Sequence, residues 1–244
     1  MSYALHGLGG LRFWTPEEVR RRDIIERTLV STVDGTLQDL NQMWRTLKVD
    51  TPLMMPRARM NAAYDSSDIF LLQDAPGGTD EWAMRAETTD GTYQIATQIL
   101  RETSVRAPVC FYQAGKSFRR ETSDGATAAK HRYNEFYQLE FQCIFSTTTA
   151  APIAETLRSA LLPVVSRLTG RQARLIASDR LPAYATETID IEVLLDPTEE
   201  NPEEWREVAS TSRRTDFPQI PGQKFECTVF EVAFGLDRLC ALSA

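Results

Sequence analysis

FRRETSDGATAAKHRYNEFYQLEF, residues 118–141, is the stretch that decides how this 244-residue chain reads. Period-2 alternation on either side of TSDGATAAK (122–130), a run of small and turn-forming residues, predicts a strand, a loop and a returning strand. The alternation puts Arg119 and Glu121 on one face of the first strand, and Arg132, Asn134, Phe136, Gln138 and Glu140 on one face of the second. Guanidiniums, carboxylates and an aromatic ring then line one floor. Such a floor suits a ligand with anionic phosphates, a planar base and an ammonium group, as ATP with an amino acid has. A solvated hairpin held by cross-strand ion pairs has the same charge pattern.

Outward from this stretch, Thr15-Pro16-Glu17-Glu18 carries the marks of a helix start: a capping hydroxyl, a proline whose missing N–H costs nothing there, and acids at the positive end of the dipole. Ile25, Leu29, Val33, Leu37, Leu40, Trp44 and Leu47 keep helical spacing to position 47, and Asp34-Gly35 is where the run would divide. That stripe needs a core or a partner to cover it. Extended segments are predicted at 48–54, 68–72, 109–115 and 135–145, with a helix over 89–103. Beyond 146 the pattern predicts a helix over 151–168, bent or ended by Pro163, strands near 172–177, 187–195, 204–212 and 224–234, and a short helix from Leu236. Strands joined by hairpins and flanked by a few helices make an α+β domain on a mainly antiparallel sheet, a single domain over residues 1–244. Neither GxGxxG after a strand nor GxxxxGK followed by Ser or Thr occurs.

Hydrophobic residues make up 42% and charged residues 25% of the chain, which excludes disordered and fibrous classes and allows a sizeable core. No window approaches the roughly 18 apolar residues of a membrane span. Arg12, Arg20, Arg21 and Arg22 interrupt the region where a signal core would lie, so a soluble, non-exported protein with no membrane partner is expected. Cys110, Cys143, Cys227 and Cys240 stand far apart with only His6 and His131 beside them, against a zinc site or disulfide frame. Buried reduced thiols and a cytoplasmic location follow. A net charge of −7 leaves no broad cationic field for nucleic acid, and Arg20–Arg22 reads as the solvated face of a helix.

The spacing within 118–141 resembles motif 2 of the class II aminoacyl-tRNA synthetases: Arg119-Arg120-Glu121, a loop, then Arg132-Tyr133-Asn134-Glu135-Phe136. FEVAFGLDRL (230–239) resembles motif 3 through Gly235 and Arg238, and the long helix followed by VDTPLM offers Pro52 for motif 1. Within the class the likeness is greatest to glycyl-tRNA synthetase. AMRAETTDG (83–91), QAGKSFRRE (113–121), NEFYQLE (134–140), YATETIDIE (184–192), EWREVAS (204–210) and RRTDF (213–217) follow in that enzyme's order. The resemblance implies that fold and ATP-dependent activation of a small amino acid, glycine first. It implies Arg119 and Arg238 as catalytic residues, with Arg119 on the α-phosphate and the amino acid carboxylate. Glu121 would read the adenine amino group, Phe136 and Arg238 would sandwich the base, and Arg132 would reach the outer phosphates. Glu207 and Glu231 would hold Mg2+ beside ATP. Glu87 and Glu140 would take the ammonium, with Ala233 in the amino acid pocket.

The chain departs from that pattern where Glu231-Val232-Ala233 stands for glutamate-proline-serine and where Ser210 stands for glycine, so alanine and serine remain alternatives. It ends six residues after Arg238, where the family continues into an anticodon-binding domain, so no such domain is expected. The acceptor would be a tRNA, or a carrier protein, modified nucleotide or small molecule. A homodimer built through motif 1 is expected. The competing readings are a non-catalytic synthetase paralogue acting as an accessory or regulatory subunit, and a nucleotide sensor that adenylates without transfer.

Overall fold

The computed structural model describes residues 10–73, 81–121, 125–127, 129–146, 152–198, 201–220 and 226–243. Helix α1 (Pro16–Leu40) starts where its capping residues predict. The Glu18 N–H donates to the Thr15 hydroxyl at 3.2 Å and the Thr15 N–H to the Glu18 carboxylate at 2.8 Å, a reciprocal cap. The helix runs unbroken through Gly35 and stops at Leu40, short of position 47. Trp44 lies beyond it yet is buried in the core, and Leu47 belongs to strand β1 (Thr46–Lys48). Ile25, Leu29, Val33 and Leu37 are covered by the chain's own core, beside helices α3 (Ile153–Thr169) and α4 (Leu236–Leu242), so the stripe needs no partner.

The extended segment expected at 48–54 divides. After β1, Thr51 and Pro52 lead into β2 (Met54–Pro56), which forms a small antiparallel sheet in the order β2-β4-β3 with β3 (Leu71–Leu72) and β4 (Trp82–Met84). The main sheet joins β1 to β5 (Val109–Phe118), β6 (Glu135–Ser146), β7 (Ala173–Ala177), β8 (Ala185–Leu194), β9 (Trp205–Arg214) and β10 (Cys227–Gly235). Its order is β1-β5-β6-β10-β9-β8-β7, and only β1 and β5 run parallel. This is the α+β, mainly antiparallel architecture that the sequence predicts. Helix α3 continues through Pro163 to a left-handed cap at Gly170 (φ +65°). The expected break does not occur because Leu157, Leu161, Val164 and Val165, on both sides of the proline, are buried in one core.

The β5–β6 ladder ends at Phe118 opposite Glu135, so Arg119, Glu121 and Arg132 flank the strands and do not lie on them. The Arg119 N–H still donates across to the Asn134 carbonyl at 3.0 Å, but the Arg120 N–H turns away to the Asp68 carbonyl at 2.8 Å. Of the predicted hairpin tip, 122–124 and 128 lie outside the described residues.

One face of the main sheet, with Leu139, Phe141, Cys143, Phe230, Val232 and Phe234, packs under α1, α3 and α4. The other face changes character along its strands. Val109, Phe111, Ile144 and Val229 meet Tyr93, Ala96 and Leu100 of helix α2 (Thr89–Glu102). Further along the same strands this face carries Gln113, Glu140, Gln142 and Glu231. Polar side chains buried on strands beside a finished apolar core are the floor of a site. All four cysteines are buried free thiols, and no described helix is long and apolar enough to cross a membrane.

Candidate active site

Strand register lays the floor out in rows. One row crosses four strands as Glu140, Ala233, Ser210 and Asp190; the next, toward α2, runs Gln142, Glu231, Ser212 and Thr188. Directly paired residues share a face, so these side chains rise on the same side of the sheet. Every residue expected at the site lines one cavity of about 670 Å³, and Arg119, Glu121, Arg132 and Phe136 form its wall at the β5–β6 end.

The α2 end of the cavity is a cluster of buried charges. The Glu140 carboxylate takes the Thr88 N–H at 2.9 Å, the Thr88 hydroxyl and the Thr89 hydroxyl at 3.2 Å. Glu87, just before α2, accepts the Tyr64 hydroxyl at 2.8 Å, and its other oxygen is buried without a hydrogen bond. Burial pushes Glu140 up to about 7, with Glu231 and Glu87 adding to it, and burial likewise raises Glu87 against the pull of Arg214. Such carboxylates gain most from a cation between them. Arg119 supplies part of that: it donates to the Ala86 carbonyl at 3.1 Å, and its guanidinium lies 5.4 Å from the Tyr64 ring and 5.3 Å from Phe136. Burial opposes its charge, but Tyr64, Glu87 and Glu140 more than offset this and keep it protonated.

Arg214 is the residue that sequence reading left without a role, although RRTDF was singled out. It is 1% exposed, pairs with Glu231 at 2.7 Å, Asp216 at 2.6 Å and Glu87 at 3.6 Å, and stacks 3.9 Å from the Tyr184 ring. It occupies the last position of β9, where register sets it between β10 and the start of β8. Only its buried anionic surroundings identify it, and those come together from Glu87 before α2, Glu231 on β10 and Asp216 just past β9. Tyr64 and Asp190 also line the cavity, and neither had a role assigned from sequence, although Asp190 lies within YATETIDIE.

The opposite end holds Arg238, in the first turn of α4, which donates to the Glu207 carbonyl at 2.9 Å and stands 3.4 Å from its carboxylate. Glu207 faces the cavity because of a β-bulge: the β8–β9 register shifts between Ile191 and Glu192, so that Ala209 and Glu207 meet consecutive β8 residues. Without the extra residue, alternation from Ser210 would turn Glu207 to the other face. Arg132 lies 3.6 Å from Glu121, whose N–H is held by the Asn134 side chain at 2.9 Å.

Glu207 and Glu231, the two carboxylates expected beside magnesium, both line the cavity but stand on different strands. The two lie about four pairing steps, roughly 13 Å of strand, apart. One Glu231 oxygen already accepts Arg214, Gln142 at 2.8 Å and Thr89 at 3.0 Å. Among the described residues no group of three His, Cys, Asp or Glu is placed to hold a metal ion. A carboxylate at either place fits magnesium, which beside a nucleotide takes one or two carboxylates and completes its shell with phosphate oxygens and water.

No protein-family model and no curated protein matches the chain. Solved structures do match it. Prolyl-tRNA synthetase of Cryptosporidium parvum, complexed with halofuginone and AMPPNP, superposes with a TM-score of 0.71 at 13% identity over 97% of this chain and 48% of its own. The Giardia lamblia prolyl enzyme with prolyl-adenylate gives 0.72 at 12% identity, over 98% and 48%. The M. kandleri seryl enzyme in complex with A. aeolicus tRNASec gives 0.68 at 16% identity, over 96% and 53%. The chain thus spans about half the length of the structures it matches, and at this identity the likeness is one of fold. That fold is the catalytic-domain fold of the class II aminoacyl-tRNA synthetases.

Proposed function

We propose that this protein activates an amino acid with ATP, forming an aminoacyl adenylate that is passed to an acceptor. The observation that carries the reading is the single cavity with buried carboxylates at its α2 end, Arg119 beside Phe136 along its wall, and Arg238 with Glu207 at its far end. Glu87 and Glu140 hold the substrate ammonium, and the Glu87 oxygen that faces Arg214 at 3.6 Å without a hydrogen bond is an acceptor for it. Arg119 takes the carboxylate and the α-phosphate. Phe136 and Arg238 bracket the adenine, Glu121 with its backbone reads the base, and Arg132 meets the outer phosphates.

In the reaction a carboxylate oxygen of the amino acid forms a bond to the α-phosphorus. The bond from that phosphorus to the bridging oxygen breaks, and pyrophosphate leaves with the electron pair. Arg119 is charged before substrate arrives, so it stabilises the charge building on the α-phosphate without reorganising. Magnesium held at Glu207 would supply charge neutralisation on the phosphates. No side-chain nucleophile is required.

Glycine is the amino acid that the sequence resemblance names, while the solved structures of like fold are prolyl and seryl enzymes. A tRNA is one acceptor; a carrier protein, modified nucleotide or small molecule is another. The four buried thiols suit a reducing compartment such as the cytoplasm. A homodimer through Pro52 draws support from Leu53 and Met54, which are 42% and 45% exposed beside it. An accessory, non-catalytic role is disfavoured because a mere binding subunit has no use for an arginine buried among ammonium-binding carboxylates. Incubation with ATP, pyrophosphatase and a panel of amino acids, read by mass spectrometry, tests the reading. An aminoacyl-AMP with one or a few of them is expected, and none with any would overturn it.

A further inference from the structure

The floor row that begins at Glu140 ends at a second buried carboxylate. Asp190 on β8 is 8% exposed, lines the cavity, and is separated from Glu140 by Ala233 and Ser210. Two small residues between two carboxylates make a trough. Ser178 and Ser210 favour the ionised form of Asp190, and Glu207 and Glu192, which act on it through space, are both acidic. Glu192 is paired with Arg174 at 2.8 Å, Glu207 with Arg238 and Glu231 with Arg214. Among the described residues no cation pairs with Asp190; Arg180 lines the cavity but is exposed at its rim. A buried carboxylate without a cation is costly, and its two oxygens have acceptor sites to offer a donor in the cavity.

We infer that this trough receives the side chain of the amino acid and that Asp190 binds a primary amine at its end, so the substrate is a diamino acid of ornithine or lysine type. The inference rests on the activation reading above, and it sets aside glycine. Three strand spacings put the Glu140 and Asp190 Cα atoms about 14 Å apart. Both side chains lean into the cavity, and each hydrogen bond to an ammonium takes up about 2.8 Å. Several methylenes fit in what is left. The α-ammonium then lies between Glu87 and Glu140, the chain passes over Ala233 and Ser210, and the terminal amine reaches Asp190. A branched residue at 233 would close the trough, which gives the alanine there a purpose.

The test is calorimetric binding of glycine, alanine, 2,4-diaminobutyrate, ornithine and lysine in the presence of AMPPNP, with pyrophosphate exchange measured alongside. One diamino acid should bind at least tenfold more tightly than glycine. In Asp190→Asn the ratio of the two affinities should collapse by tenfold or more, since a site built for a charged donor loses most when its acceptor changes. Ala233→Leu should collapse it as well, which guards against a folding defect in the first variant. Glycine binding as tightly as every diamino acid, or either variant weakening all ligands alike, overturns the inference. So does a variant that impairs only transfer to an acceptor. Exchange with glycine alone would sink the trough and leave activation standing; selective binding without exchange would do the reverse.

Discussion

Arg214 pairs with three carboxylates, and its loss would leave Glu231, Glu87 and Asp216 without that cation. Arg214→Ala should therefore destabilise the fold by about 3–5 kcal/mol, read from chemical denaturation. Glu140 sets a pH dependence. Burial lifts it from 4.5 to about 7, so the folded protein keeps a proton that the unfolded chain has already released above 4.5. The stability held in that proton is complete below about 4.5 and is lost as pH rises through 7. Asp90, raised to about 7 chiefly by burial, acts in the same direction. Amino acid binding runs oppositely, because an ammonium needs the ionised carboxylate: affinity should rise from pH 6 to 8, and Glu140→Gln should flatten the rise. His131 takes no part, since burial and the guanidiniums of Arg206, Arg12 and Arg238 hold it near 4.

At the scale of elements, α1 offers two opposed tests. Gly35 lies inside the helix with nothing within 4 Å of where a methyl group would stand, so Gly35→Ala should stabilise by about 0.5–1 kcal/mol. Thr15→Ala removes half of the reciprocal cap and should cost about 1 kcal/mol. Both are read from the thermal midpoint. Gly115 is the contrast: a methyl there would collide with Arg85, whose guanidinium is fixed by the Thr51 and Lys116 carbonyls. Alternation and capping made most elements readable because they are local properties. Helix α1 ended early because Trp44 reaches the same core from a turn, which periodicity cannot distinguish from another helical step. Glu207 faces the site only through a bulge, and a bulge leaves no mark in a pattern of period 2.

For the whole molecule, Arg119, Phe136, Glu140 and Arg238, which motif spacing singled out, line one cavity because the residue that follows β5, strand β6 and the final helix carry them in a fixed frame. Spacing could not pair Asp190 with Ser210 and Ala233, since that row exists only once β8, β9 and β10 lie side by side. The stripe on α1 called for a core or a partner, and the chain's own core covers it. A homodimer must therefore use other surfaces, with Leu53 and Met54 foremost. Sedimentation at micromolar concentration should show two copies, and replacing both residues by glutamate should give one.

Activation of an amino acid in this cavity depends on Arg119, and amino-acid-dependent ATP–pyrophosphate exchange in the native protein and in Arg119→Ala measures that dependence. The native protein should exchange with at least one amino acid, and the variant should lose roughly 10²- to 10³-fold or more while keeping its fold. Exchange at an unchanged rate in the folded variant would contradict the account.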